Sequence, residues 1–286
     1  MPTIDISYEF FPPRSEAQER RFWHTVGNLE TLGPSYISLT WGALGSAIEA
    51  SLAVLEQLVT MTDVPVTAHL CCAGQTQDQM KGIIERLEAL GITRFLALRG
   101  DLTEETRASL GKSEVMRHAS ELVSLLATDS KRHISVSGYP EVHPESESAQ
   151  SDLGWLKHKL DSGASQAITQ FFFEADTFLR FRDRAAAAGI SQPIVPGILP
   201  VHDIDNVLDF SKRCGASVPE QMVKLFRQAD SEESSQEIAV DHCVNLCNHL
   251  RQEGVDNFHL YTLNKSNLSY RVSLELLGRS RAAAAA

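Results

Sequence analysis

A chain of 286 residues, 43% hydrophobic and 22% charged, has enough apolar material for a sizeable core, as one large domain or two ordinary ones. Its formal net charge of −11, with no basic stripe, argues against a nucleic-acid partner, and an anionic ligand would need local cations to overcome that field. No apolar run reaches the roughly 18 residues of a membrane span, and five cysteines (Cys71, Cys72, Cys214, Cys243, Cys247) do not make a secreted disulfide framework in a chain this long.

Strand-like runs are expected near 6–11, 36–41, 66–72, 94–99, 134–139, 167–173, 194–199 and 258–263. Amphipathic helical patterns fall between them, near 15–32, 46–61, 76–90, 113–127, 146–162, 176–188, 204–213 and 235–253, with a last helix near 265–278. Gly33, Gly91, Gly163, Gly189 and Gly254 stand where C-terminal helix caps are expected. Eight β-then-α units of roughly 30 residues match a (β/α)8 TIM barrel, in preference to an open doubly wound sheet. No Pro/Gly/Ser-rich linker divides the chain, so residues 1–281 are expected to form one domain, with an extra helix in 219–253 before the last strand and a 282–286 tail outside the fold. The first strand begins at once with no leader, so a cytoplasmic protein without a membrane partner is expected.

The run Ser7–Arg14 places Glu9 inside an apolar strand that two prolines, Pro12 and Pro13, stop at once. A carboxylate there is costly unless it is paired, neutralised or facing a cavity. Barrel enzymes carry their chemistry at the C-terminal strand ends. In chain order those ends are Glu9, Thr40 with Trp41, His69, Arg99-Gly100-Asp101, Tyr139 with His143, Gln170, Pro200 and Thr262 to Asn264. That set is more polar than a barrel needs for turning its strands.

The stretches EFFPPR (9–14), LTWGA (39–43), LRGD (98–101), YPEVHPE (139–145), the Asp152/Lys159 pair, ITQFFF (168–173), PGILP (196–200) and YTLN (261–264) together resemble the methylenetetrahydrofolate reductase family, in register from about residue 4 to 278. The resemblance implies a (β/α)8 flavoprotein of the short bacterial type. Such an enzyme interconverts 5,10-methylenetetrahydrofolate and 5-methyltetrahydrofolate, with FAD relaying hydride from NADH or NADPH. A homo-oligomer is expected, its size left open by the sequence.

By the same resemblance Glu9 is the general acid that protonates the departing folate nitrogen, a task suited to a carboxyl with a raised pKa. Its structural alternative is an ion pair with a barrel Arg or Lys. Asp101 lies near flavin and folate, where its charge steadies a cationic iminium. The implied FAD contacts are Thr40, Trp41, His69, Arg99, Gly100, Asp101, Ala119, Tyr139, His143, Asp152, Trp155, His158 and Lys159. Asp152 and Lys159 are two helical turns apart on one face, with Lys159 meeting phosphate and Asp152 a ribose or ring edge. Gln170, an amide that both donates and accepts, reads the pterin edge, and Glu9, Asp101, Ile204 and Lys265 complete the folate contacts. Phe171 to Phe173 are expected to fill the barrel or pack its helices.

Three places depart from the family pattern. Leu44, Ala47 and Ile48 make the loop after the second strand more apolar than usual. Ile204 replaces an aromatic found in some members and can pack but not stack. Lys265 stands where Arg is common, a point charge in place of a fork for the glutamate tail. The His242, Cys243, Cys247, His249 cluster invites a metal reading, but its histidines fall on other helix faces than its cysteines, and no metal is expected. Two other functions fit the same motifs: a flavin-free reductase with direct hydride transfer from the nicotinamide, and a folate-binding barrel without turnover.

Overall fold

The computed structural model describes residues 4–41, 48–102, 104–110 and 114–279. The expected departures at Leu44 and Ala47, and the 282–286 tail, lie outside them.

Strands β1 (Asp5–Phe10), β2 (Tyr36–Leu39), β3 (Val66–Cys71), β4 (Arg94–Leu98), β5 (His133–Gly138), β6 (Gln166–Thr169), β7 (Ile194–Val195), β8 (Gly197–Ile198) and β9 (Asn257–Tyr261) form one sheet in the order β7-β6-β5-β4-β3-β2-β1-β9-β8. Every neighbouring pair is parallel. β7 pairs with β6 and β8 with β9, and only Pro196 separates β7 from β8, so the segment 194–198 closes the sheet on itself. The expected barrel is therefore present. Its seventh stave, expected as one strand over 194–199, is two short pieces, because proline has no N–H for the ladder. The Pro196 carbonyl still accepts from His259 N at 3.0 Å.

Around the sheet run α1 (Glu16–Glu30), α2 (Ile48–Met61), α3 (Gln77–Ala89), α4 (Glu104–Ser109), α5 (Ala119–Leu126), α6 (Ala149–Asp161), α7 (Ala175–Ala187), α8 (Ile204–Cys214), α9 (Glu220–Gln228), α10 (Glu232–Gln252) and α11 (Ser266–Leu276). Helix α9 is the extra element expected before the last strand. The helix expected over 113–127 begins only at Ala119, because Val115 is taken up in an antiparallel bridge to Thr76. The short α4 had no periodic signal. Starts follow the caps: Ser15 accepts from Gln18 N, Thr76 and Gln79 form a capping box, and Asp203 accepts from Asp205 N and Asn206 N. The five capping glycines all adopt left-handed φ, from +71° to +119°.

The period-2 alternation of β1 sorts its side chains into two environments. Tyr8 and Phe10 face the helices, where Tyr8 Oη donates to Ser273 Oγ at 2.7 Å and the Phe10 ring meets Phe22 edge-on at 5.6 Å. Burying each such aromatic is worth about 1.5–3 kcal/mol. Ser7 and Glu9 face the barrel interior. There Tyr36, Leu96, Ile168 and Val195, backed by Leu98, form a separate small apolar cluster that plugs the barrel below its mouth. No helix among the described residues is long and apolar enough to cross a membrane.

Candidate active site

Two cavities share the walls Arg99, Ser137 and Tyr139 at the C-terminal ends of the strands. The first, about 480 Å³, is the barrel mouth; Glu9, Thr40, Trp41, His69, Arg99, Gly100, Asp101, Tyr139 and Gln170 line it, all expected from sequence. The second, about 510 Å³, is a groove running outward over α5 and α6, lined by Ala119, His143, Asp152, Trp155 and Lys159. Ile204 and Lys265 line neither cavity, and His158 meets the groove only through its edge contact with Trp155, 5.9 Å between centroids. Ile204, in the first turn of α8, packs against the main core, and Lys265 precedes α11.

Glu9 is 9% exposed. Its Oε2 lies 3.6 Å from His69 Nε2 and 3.8 Å from His259 Nε2, and no Lys or Arg is within ion-pair distance among the described residues. Burial outweighs the attraction of Glu9 and holds His69 neutral, with its pKa down at about 4. The backbone under Glu9 is pinned from the last strand. Thr262 Oγ1 donates to Glu9 O at 2.6 Å, while Asn264 accepts from Phe11 N at 2.9 Å and donates to Phe11 O at 2.8 Å. Leu263 and Asn264 adopt φ of +51° and +54° to make that clamp. Among the described residues, the groups within 4 Å of the Glu9 carboxyl that could pair with it are the two histidines.

Gly100 has φ +87°, and a Cβ there would lie 2.9 Å from Cys71 Cβ, so only glycine lets the chain pass between strand end and cavity. Arg99 pairs with Glu145 at 2.6 Å across the junction of the two cavities. Gln170 Oε1 accepts from Phe171 N at 3.0 Å, which turns its amide N–H groups to other partners. Asp152 accepts from His143 N at 3.1 Å and from Ser146 Oγ at 3.2 Å, so it shapes the 143–146 loop. The Lys159 ammonium donates to Ser137 O at 2.5 Å, and burial pulls its pKa down to about 8 against the pull of Asp152. Tyr139 meets His143 edge-on at 4.6 Å, and burial pushes its phenol up to about 12. Trp155, 46% exposed, stacks on His118 at 4.8 Å.

The residues fit a flavin dinucleotide. Thr40 Oγ1 and His69 Nε2 are buried, without hydrogen-bond partners among the described residues, and belong to residues that line the mouth. Arg99 and Lys159 bring cationic donors to the groove that continues from it, as a diphosphate requires.

Sequence reasoning missed His259, Tyr261 and Phe210. Alternation in β9 puts His259 and Tyr261 on the interior face, and Tyr261 Oη donates to Thr169 O at 2.6 Å. Gly197 makes room for that ring: a Cβ there would come within 2.6 Å of it. Phe210 of α8 and Phe171 both line the mouth, stacked at 5.4 Å, so Phe171 does more than fill the barrel. Cys243 and Cys247 are buried in the main core.

A family model described as methylenetetrahydrofolate reductase matches residues 2–277. The 5,10-methylenetetrahydrofolate reductases of Pectobacterium carotovorum and Escherichia coli (strain K12) are 39% and 38% identical over 270 residues, 94% of this chain and 89% of theirs. Methylenetetrahydrofolate reductase 1 of Schizosaccharomyces pombe is 31% identical over 279 residues, 96% of this chain but 46% of that longer protein. Among solved structures, an uncharacterised Clostridium thermocellum protein that binds two copies of 5-methyl-5,6,7,8-tetrahydrofolic acid superposes with a TM-score of 0.63 at 14% identity, covering 96% of this chain and 94% of that one. At that identity the likeness speaks for the barrel fold alone.

Proposed function

The chain belongs to the methylenetetrahydrofolate reductase family, and from that premise we propose how its own residues carry the reaction. It is an enzyme that interconverts 5,10-methylenetetrahydrofolate and 5-methyltetrahydrofolate. The observation that carries the reading is Glu9, a buried carboxyl in the barrel mouth beside two histidines and, among the described residues, no Lys or Arg.

Methylenetetrahydrofolate must open its five-membered ring before it accepts hydride, and opening is helped by a proton on the departing nitrogen. Glu9 holds that proton and delivers it. Asp101, on the rim after β4, sets a negative charge towards the resulting cationic iminium. Gln170 offers its amide N–H groups to the pterin edge, because its oxygen is engaged by Phe171 N. Ile204 and Lys265 line neither cavity, so they would meet only a part of the folate that extends beyond the mouth, Lys265 as a point charge for the glutamate tail.

FAD held in the mouth and groove would supply the relay of hydride from NADH or NADPH. Arg99 and Lys159 would meet its diphosphate. Gly100 and Ala119 allow close backbone approach, and Thr40, Trp41, His69, Tyr139, His143, Trp155 and His158 surround the rest. Asp152 keeps the 143–146 loop in shape for it. Residues 1–281 act as one catalytic barrel, as a homo-oligomer in the cytoplasm.

The test is anaerobic. Purified protein should be yellow, with absorbance near roughly 450 nm that NADH or NADPH bleaches and methylenetetrahydrofolate restores. Glu9→Gln should cut the folate half-reaction by about 10²–10⁴, far more than it cuts flavin reduction. Equal damage to both half-reactions would make Glu9 structural. Colourless active enzyme would favour direct transfer from the nicotinamide, and yellow protein that no nicotinamide reduces would favour a folate-binding barrel without turnover.

A further inference from the structure

Arg99 stands at the junction of the two cavities with its guanidinium already engaged. Nε donates to Gly100 O at 3.3 Å, and Nη2 pairs with Glu145 Oε2 at 2.6 Å. A held turn aims that carboxylate. Glu145 N donates to His143 Nδ1 at 3.0 Å, Ser146 N donates to His143 O at 2.8 Å, and Ser146 Oγ is tied to Asp152 at 3.2 Å. The hydrogen bond from Arg99 holds the Glu145 carboxyl below the usual carboxylate range, so it is an anion at neutral pH.

The groove is poorly charged for the diphosphate it would take. Its described lining carries two cations, Arg99 and Lys159, against three carboxylates, Glu145, Glu147 and Asp152. Asp152 is committed to His143 N and Ser146 Oγ. Glu145 differs, because it sits on the guanidinium itself, and its side chain is 46% exposed, with solvent to turn into. A carboxylate oxygen and a phosphate oxygen are the same kind of acceptor for an arginine fork. They cannot both hold the same N–H.

We propose that Glu145 is an internal competitor for Arg99, an affinity-setting residue that a diphosphate must displace from the guanidinium on entering the groove. The proposal rests on reading the groove as the seat of the FAD diphosphate. Affinity is then held below what the contacts allow, because Arg99 is free to meet phosphate in only a fraction of the molecules. The competition is confined to this end of the groove. Lys159 of α6 has no carboxylate within ion-pair distance among the described residues and donates to Ser137 O instead.

The experiment follows FAD release on serial dilution of the holoenzyme, by recovery of flavin fluorescence, in wild type, Glu145→Gln, Arg99→Gln and the double variant. Glutamine keeps the size and loses the charge at an exposed position. Glu145→Gln should tighten FAD about fivefold, the scale of an exposed ion pair. Arg99→Gln should weaken it, and adding Glu145→Gln to that variant should recover little, because the competitor acts through the arginine. Weaker binding in Glu145→Gln would make the carboxylate an aligning partner of Arg99 and overturn the competition. So would an unchanged affinity, or the same gain in the absence of Arg99, which would be the field of the charge alone. Should Arg99→Gln hold no flavin, Glu145→Asp makes that last distinction. It keeps the charge but withdraws it by one methylene, so it should tighten binding if Glu145 competes and leave it at the wild-type value if only the field matters. Colourless protein in every variant, wild type included, would instead sink the cofactor reading beneath the proposal.

Discussion

Lys159 shows how much one side chain depends on what it touches. On a bare helix it would be a solvated cation at its ordinary 10.5; burial against Ser137 O brings it to about 8. Because the folded value is the lower one, the unfolded chain holds the proton more tightly between about 8 and 10.5, and this group adds stability as pH rises through that window. A diphosphate reverses the preference, since it favours the charged ammonium. FAD affinity should therefore fall as pH rises past about 8. Lys159→Met should abolish that dependence and weaken binding by about 1.5–3 kcal/mol at neutral pH, the range of a charge-assisted hydrogen bond. Titration of flavin into apoprotein at several pH values checks both. Equal affinity in the two proteins would remove Lys159 from the cofactor's contacts.

Among elements, the joint between the 139–145 loop and α8 stands out. Glu141 of the 139–145 loop accepts from Ser217 N at 2.7 Å and Ser217 Oγ at 2.5 Å, just beyond α8. Gly215, the left-handed cap of α8 at φ +70°, sits so close that a Cβ would be 2.8 Å from Val142 O. That joint fixes α8, and with it Phe210, over the mouth while the same loop presents Tyr139 and His143 to the groove. Glu141→Ala should loosen both ligands together, raising the folate KM and the FAD dissociation constant each by about tenfold, within the cost of losing such hydrogen bonds. A drop in thermal stability with both constants unmoved would mean that the joint only braces the fold. Element boundaries were less legible than this pattern of residues. The seventh strand, expected as one piece over 194–199, is split by Pro196, and closure decides that its halves pair with two different neighbours. Val115 carried a helical pattern and went to a bridge instead, because a long-range partner outcompeted local periodicity.

At the scale of the molecule, complete burial of His69 and partial burial of His133 and His202 bring the pKa values of these three histidines down to about 4. Their folded values lie below the ordinary 6.5, so the unfolded state takes up protons first, and stability falls as pH drops from about 6.5 to 4. The fully buried His69 contributes most, up to about 1.4 kcal/mol per pH unit. His133 and His202 contribute less because water screens them. Urea denaturation at a series of pH values should show this slope, and His69→Gln should flatten it; an unchanged slope would refute the assignment to His69.

The sequence by itself determined the barrel, the caps of its helices and most of the mouth. Period, capping chemistry and strand-end polarity are local properties, and the motifs around Glu9, Asp101, Tyr139 and Gln170 carry them. Only the tertiary structure decided which buried groups share a space. Ser7 and His259 are 252 positions apart and meet because β1 lies beside β9. No local signal encodes that register; it follows from closing the sheet, and closure brings the His259 ring to 3.8 Å from Glu9.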